Sequence, residues 1–269
     1  MPRFLGSRLL FAAFLFAAQL PAWAQGVALA DEQDGRTIAN PDYGATGPGY
    51  EFVFARVAYT TNRLRGGNRR STLWQTDYPD AEYHFLGGVQ RLTRVDAGTD
   101  GHILTLTDEE LFDYPWIYAV EVGGWHLSWQ EAERLREYLL RGGFLMVDDF
   151  HGSLEWTGFM SSMSRVFPER PVIDIPPGDP SLHVLYDLDQ RIQIPGIMPL
   201  RQGRTWEQDG FDPHWRGIYD DEGRLMVAIN FNMDLGDAWE HADWPEYPEP
   251  MTALAYRFGI NYLLYAMTH

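Results

Sequence analysis

Asp148, Asp149 and His151 fall within four residues, directly after the apolar run Phe144-Leu145-Met146-Val147. Two carboxylates and an imidazole at that spacing admit more than one chemistry. Oxygen ligands from Asp148, Asp149, Asp234 and Asp237 with a histidine suit a hard divalent cation, and the imidazole also admits zinc. The metal candidates are therefore Asp148, Asp149 and His151. Alternatively His151 or His126, oriented by a neighbouring carboxylate, acts as a general base, with Asp149 as its acidic partner. Ser153 follows at a strand-to-helix turn where a nucleophile can sit, yet the G-x-S-x-G pattern of a nucleophile elbow is absent. The same residue types have a structural use. An aspartate at a helix start accepts backbone N–H bonds, and one of Asp148 and Asp149 is expected in that role at the start of the helix that follows them.

The elements that must position these residues are legible on either side. Ser128 with Glu131 three residues on is a capping box, which predicts a helix from Trp129, and Gly142 is the left-handed residue that ends it. Phe144 to Val147 is apolar on both faces, as a strand of a helix-covered parallel sheet must be. Earlier strands are predicted at Phe52 to Tyr59, Ile103 to Leu106 and Trp116 to Val122, and a helix after Asp77 or Asp80, either of which can cap it. Later come a helix over Ser153 to Val166, strands at Pro171 to Ile175 and Arg224 to Asn230, and a closing helix over Met251 to Met267. Between the last strand and that helix runs a long acidic and aromatic stretch read as a loop, and long loops without structure of their own are more often functional than idle.

Ligands bind beyond the carboxyl ends of the strands in open parallel sheets. That rule brings four loops to one edge: the arginine loop with Arg63 and Arg65, the Gly123-Gly124-Trp125-His126 turn, Asp148 to Gly152, and the stretch with Asn232, Asp234 and Asp237. Arg63, Arg65, Trp125, His126, Asp148, Asp149, His151, Asn232 and Asp237 are the expected ligand-binding set. Arginine forks match carboxylate or phosphate, or pair with the chain's own acids. Trp239, Trp244 and Tyr247 cover apolar surface or stack on a sugar ring.

Composition narrows the field. The formal charge of −17 makes nucleic acid and anionic lipid poor partners. With no cysteine there is no disulfide, thiolate metal site or cysteine nucleophile. Arg3, Arg8, the apolar run Leu9 to Leu20 and Ala22-Trp23-Ala24 read as a signal peptide over 1–24, shorter than the roughly 20 apolar residues of a membrane span. A periplasmic location is expected, with residues 25–49 as a flexible lead-in, 50–269 as one α/β domain, and an elaboration at about 176–223.

Longer strings carry a resemblance. FARVAYTTNRLRGG, RGGFLMVDDFHG, NFNMDLGDAWE and YRFGINYLLYAMTH resemble the bacterial family known as domain of unknown function 4159, over about Tyr50 to His269. The resemblance implies a flavodoxin-like three-layer α/β sandwich with a mostly parallel sheet, similar to class I glutamine amidotransferases, and brings no activity, cofactor or catalytic residues. Asp148 to Gly152 then corresponds to the turn that carries the amidotransferase cysteine, so thiol chemistry is excluded. The leading expectation is a small polar or carbohydrate-like ligand bound at the carboxyl edge. A metal-assisted or acid–base hydrolase in the same cleft is the alternative, and a partner protein of the cell envelope a third class.

Overall fold

The central strands dictate the layers. Every residue of β3 (Trp116–Val120) and β4 (Phe144–Asp148) is buried, and successive side chains of a strand face opposite ways. Trp116, Tyr118, Val120, Phe144 and Met146 enter one core, while Ile117, Ala119, Leu145 and Val147 enter another. Helices α1 (Asp80–Leu92), α5 (Leu235–Glu240) and α6 (Glu249–Thr268) cover the first core, and α2 (Trp129–Leu140) and α3 (Gly152–Val166) the second. The computed structural model describes residues 49–61 and 72–269. The signal and lead-in readings up to residue 48, and Arg63 and Arg65, lie outside the described residues.

Five strands run parallel in the order β2 (His102–Leu104), β1 (Ala55–Val57), β3, β4, β7 (Leu225–Phe231). Antiparallel β6 (His214–Tyr219) and β5 (Ile173–Asp174) extend the sheet beyond β7. This mostly parallel seven-stranded sheet with helices on both faces is an α/β architecture compatible with a flavodoxin-like sandwich. Its winding reverses between β1 and β3, which opens a crevice at the carboxyl edge. No helix of the described residues is long and apolar enough to cross a membrane.

The α2–β4 unit follows its local signals. Ser128 Oγ accepts from the Glu131 N–H at 3.2 Å, the Glu131 carboxylate accepts from the Ser128 N–H at 2.7 Å, and Gly142 leaves the helix at φ 110°. Three elements depart from the sequence reading. The stretch 176–223 holds α4 (Ile197–Arg201) and also supplies β6, whose polar and glycine positions, Arg216 and Gly217, hide its strand pattern. Within the stretch after β7 read as a loop lies the short helix α5.

Alternation along β1 has one further result. Ala55 and Val57 face the α2 and α3 side, so Arg56 between them faces α1. It is fully buried, and its Nε donates to Glu82 on α1. Its Nη1 donates to the carbonyls of Trp74 and Thr76 at 3.0 and 2.7 Å, fixing the chain just before Asp77. Removing one partner of a buried ion pair strands the other charge out of water, which costs about 3–5 kcal/mol. Arg56→Met is therefore expected to lower stability by about that amount, and Arg56→Met with Glu82→Leu to regain part of it, read by urea unfolding. Equal losses in the single and double variants would contradict the pairing.

Candidate functional site

Three strand-following segments deliver carboxyl groups to one place. After β1, the Arg56 clamp holds Trp74 to Thr76, and Asp77 follows at φ 62° with its Oδ2 buried and without a hydrogen-bond partner among the described residues. After β4, Asp148 and Asp149 are both buried and the chain turns sharply at Asp149, φ 50°. After β7, Asp234 caps α5 by accepting the Asp237 N–H at 2.7 Å. One oxygen each of Asp77, Asp149 and Asp234 can be chosen so that all lie within 4.8 Å of one another. A second group with the same spacing is Asp237, Glu240 and His241 on α5.

Backbone strain concentrates here. Of the described non-glycine residues, Asp77, Glu121, Asp149, Gln208 and Asn232 have positive φ. Glu121, Asp149 and Asn232 each stand at or within a residue of a parallel strand's carboxyl end. Gln208 donates to Glu155, which in turn accepts the His151 N–H at 2.7 Å. Such conformations are costly without glycine and cluster at functional sites.

Each aspartate has a distinct setting. Asp148 Oδ2 accepts from the N–H groups of Leu235 and Gly236 at 2.8 and 2.9 Å and from the Tyr118 hydroxyl at 3.2 Å, so it caps α5 and not α3, the helix that follows it. Asp149 Oδ1 lies 3.1 Å from His151 Nε2. The Nδ1 of His151 is buried with no partner among the described residues. Close approach is possible because Gly236 has no side chain: a Cβ there would lie 2.5 Å from Asp77 Oδ2 and 2.7 Å from the Tyr118 hydroxyl.

A family model described as domain of unknown function (DUF4159) matches residues 53–267. The chain belongs to this family. No curated protein matches it.

In this DUF4159 domain the residues singled out by sequence separate into three groups. Asp148, Asp149, His151, Asp234 and Asp237 are gathered at the carboxyl edge, with Asp148 occupied as a helix cap. Asn232 is a buried tie, its Oδ1 accepting from Gly152 N–H and its Nδ2 donating to the Asp212 carbonyl. Trp125 lies elsewhere, 1% exposed in the α2–α3 core and stacked on Phe159 with its Nε1 donating to the Phe159 carbonyl, while the half-buried His126 donates its backbone N–H to Thr60. Ser153 gives its hydroxyl hydrogen to Asp209 at 2.7 Å. Trp239 and Tyr247 are buried, which leaves Trp244 as the exposed ring of the three. Asp77, Glu240 and His241 were not singled out. Asp77 carries the same signature as a helix cap, and the other two stand at the carboxyl end of the unforeseen α5.

Burial and mutual repulsion set the ionisation. Burial, then the charge of Asp237, raises Asp77 well above the usual carboxyl range. Burial, then Glu121, does the same for Asp149, and burial, then Asp149, for Asp234. Asp148 is pushed up to about 7 by burial, against the pull of its N–H donors. Burial pulls His151 down to about 4, so it is neutral at pH 7.

An acid with a raised folded-state pKa adds stability while protonated: its share is complete below the ordinary value of 3.8 and lost as pH rises through the folded value. His151 acts oppositely between about 4 and 6.5, one imidazole against four carboxyls. Chelator-treated protein is therefore expected to melt at falling temperature as pH rises from about 4 to about 7. Scanning calorimetry over that range checks this, and a melting point that climbs throughout would contradict it.

Proposed function

We propose that the carboxyl edge of the sheet is a divalent-cation centre, with Asp77, Asp149 and Asp234 as ligands, through which the protein binds a small oxygen-rich polar ligand. The observation that carries this reading is the spacing of those three oxygens, within 4.8 Å of one another. Ligand oxygens around a hard cation lie about 2.0–2.6 Å from it, so three such atoms fit one coordination sphere. Their chemistry points the same way. Carboxylates favour magnesium, calcium or manganese over softer metals, and a cation relieves the repulsion that otherwise holds protons on these groups.

The hydrogen bond from His151 to Asp149 favours a second reading, a metal-assisted hydrolase. A ligating carboxylate is commonly held by an outer hydrogen bond, and a neutral imidazole is the form that can take a proton from water. Similarity in fold to class I glutamine amidotransferases belongs to this proposal as well. It is supported by the sheet order and by Asp149, whose strained backbone stands at the strand-to-helix turn where that fold would carry its nucleophile. Thiol chemistry stays excluded, since the chain has no cysteine. Export to the periplasm, read from residues 1–24, completes the proposal.

Elemental analysis of protein purified without chelator is expected to find a stoichiometric divalent cation whose removal lowers the melting temperature. Asp149→Asn is expected to weaken cation binding by more than about tenfold, the lower bound for loss of even an outer partner. Absence of cation, with no effect of chelator on melting, would refute the centre. Hydrolysis of ester, amide or glycoside substrates that disappears in His151→Gln while the cation stays bound would favour the second reading.

A further inference from the structure

We propose that the same edge takes a second divalent cation at Asp237, Glu240 and His241, so that the protein presents a two-cation site to an oxyanion of the phosphate type. The inference rests on the reading of Asp77, Asp149 and Asp234 as the first cation's ligands. Asp237 and Glu240 lie three residues apart on α5, and His241, four from Asp237, caps its carboxyl end with its N–H on the Asp237 carbonyl, which brings the three to one side of the helix. One donor atom from each lies within 4.8 Å of the others. His241 Nδ1 is 2.7 Å from Asp237 Oδ1 and 3.7 Å from Glu240 Oε2.

The two groups adjoin. Asp77 Oδ2 of the first group lies 2.5 Å from the point a Cβ on residue 236 would take, directly beside Asp237 in the chain. Asp234 Oδ2 and Asp237 Oδ2 lie 2.7 and 2.9 Å from the point a Cβ on residue 196 would take, and Glu207 Oε1 lies 3.5 Å from it. Glycine at 196 thus leaves three acidic side chains converging on one small space. Beyond acidity, the buried Asp77 Oδ2 has no hydrogen-bond partner among the described residues. An unsatisfied buried oxygen is expensive to keep, and a bridging ligand between two cations is one way to satisfy it.

The donors differ in kind. The first group offers oxygen alone, whereas His241 adds an imidazole nitrogen, which moves the second position toward manganese or zinc. Two cations about 3.5–4 Å apart hold the oxygens of a tetrahedral oxyanion between them. That is the ligand class the pair selects.

The test uses the full chain, stripped with chelator and dialysed against Mn2+. Two bound Mn2+ per chain are expected, with the electron paramagnetic resonance signal of a spin-coupled pair, and added inorganic phosphate is expected to tighten the second Mn2+ about tenfold or more. His241→Gln, checked for an unchanged circular dichroism spectrum, is expected to halve the stoichiometry and abolish the coupled signal. The wild-type coupled signal stands without any variant, so a misfolded His241→Gln does not blunt the test. One Mn2+ per chain in the wild type overturns this inference and spares the first centre, whereas none overturns both. Two Mn2+ in folded His241→Gln overturns the assignment to α5. Mn2+ binding that ignores phosphate overturns the oxyanion.

Discussion

Four carboxyl groups removed from water beside one another are the constraint on which the carboxyl edge depends. Two unit charges about 4 Å apart repel by about 4 kcal/mol at an effective dielectric of 20, before any cost of desolvation. Asp77, Asp148, Asp149 and Asp234 therefore cannot all be ionised without positive charge nearby. Among the described residues the buried cation in reach is Arg56, and it is committed to Glu82 and two carbonyls. Backbone N–H groups at the start of α5 absorb part of the load at Asp148. Protons or a metal ion can meet what remains.

The scaffold accepts strain to keep those groups where they are. A left-handed backbone at a non-glycine residue costs about 1–2 kcal/mol, and the positive-φ residues Asp77, Glu121, Asp149, Gln208 and Asn232 belong to or touch this edge. Asn232 helps to hold it. Its side chain ties the start of α3 to the 212 region, so the turns after β4 and β7 move as one body. The Arg56 clamp does the same for Asp77. The centre is thus rigidly built from segments distant in sequence, which suits pre-organised binding.

The parts of this that could be read from sequence are those with local causes. Ser128, Glu131 and Gly142 mark the ends of α2 by themselves, and the wholly apolar Phe144 to Val147 marks a covered strand. Asp149 and His151 announce themselves by falling where such a strand stops. Asp77 does not, because an aspartate two residues before a proline looks like a helix start. The buried Arg56, eighteen to twenty residues away in sequence from the carbonyls it holds, fixes the chain just before it. The helix α5 escapes for another reason: six residues rich in acids and aromatics give no clear period. Trp125 errs in the opposite direction. A tryptophan after Gly-Gly at a strand end looks like a ligand platform, yet its large apolar body is better buried against Phe159.

The ends of the sheet have a bearing on life outside the folded monomer. A long exposed edge strand offers unpaired amides to any other chain, which is a route to aggregation. Here the outer strands are β5, two residues long, and β2, three. Ile173 and Asp174 are exposed, but two residues present too short a template to recruit a partner strand, and Asp174 holds Arg216 across the pair at 3.2 Å. The long strands that could propagate a sheet are all internal. Colloidal safety is thus written into strand length at both margins, independently of the chain's strong negative charge.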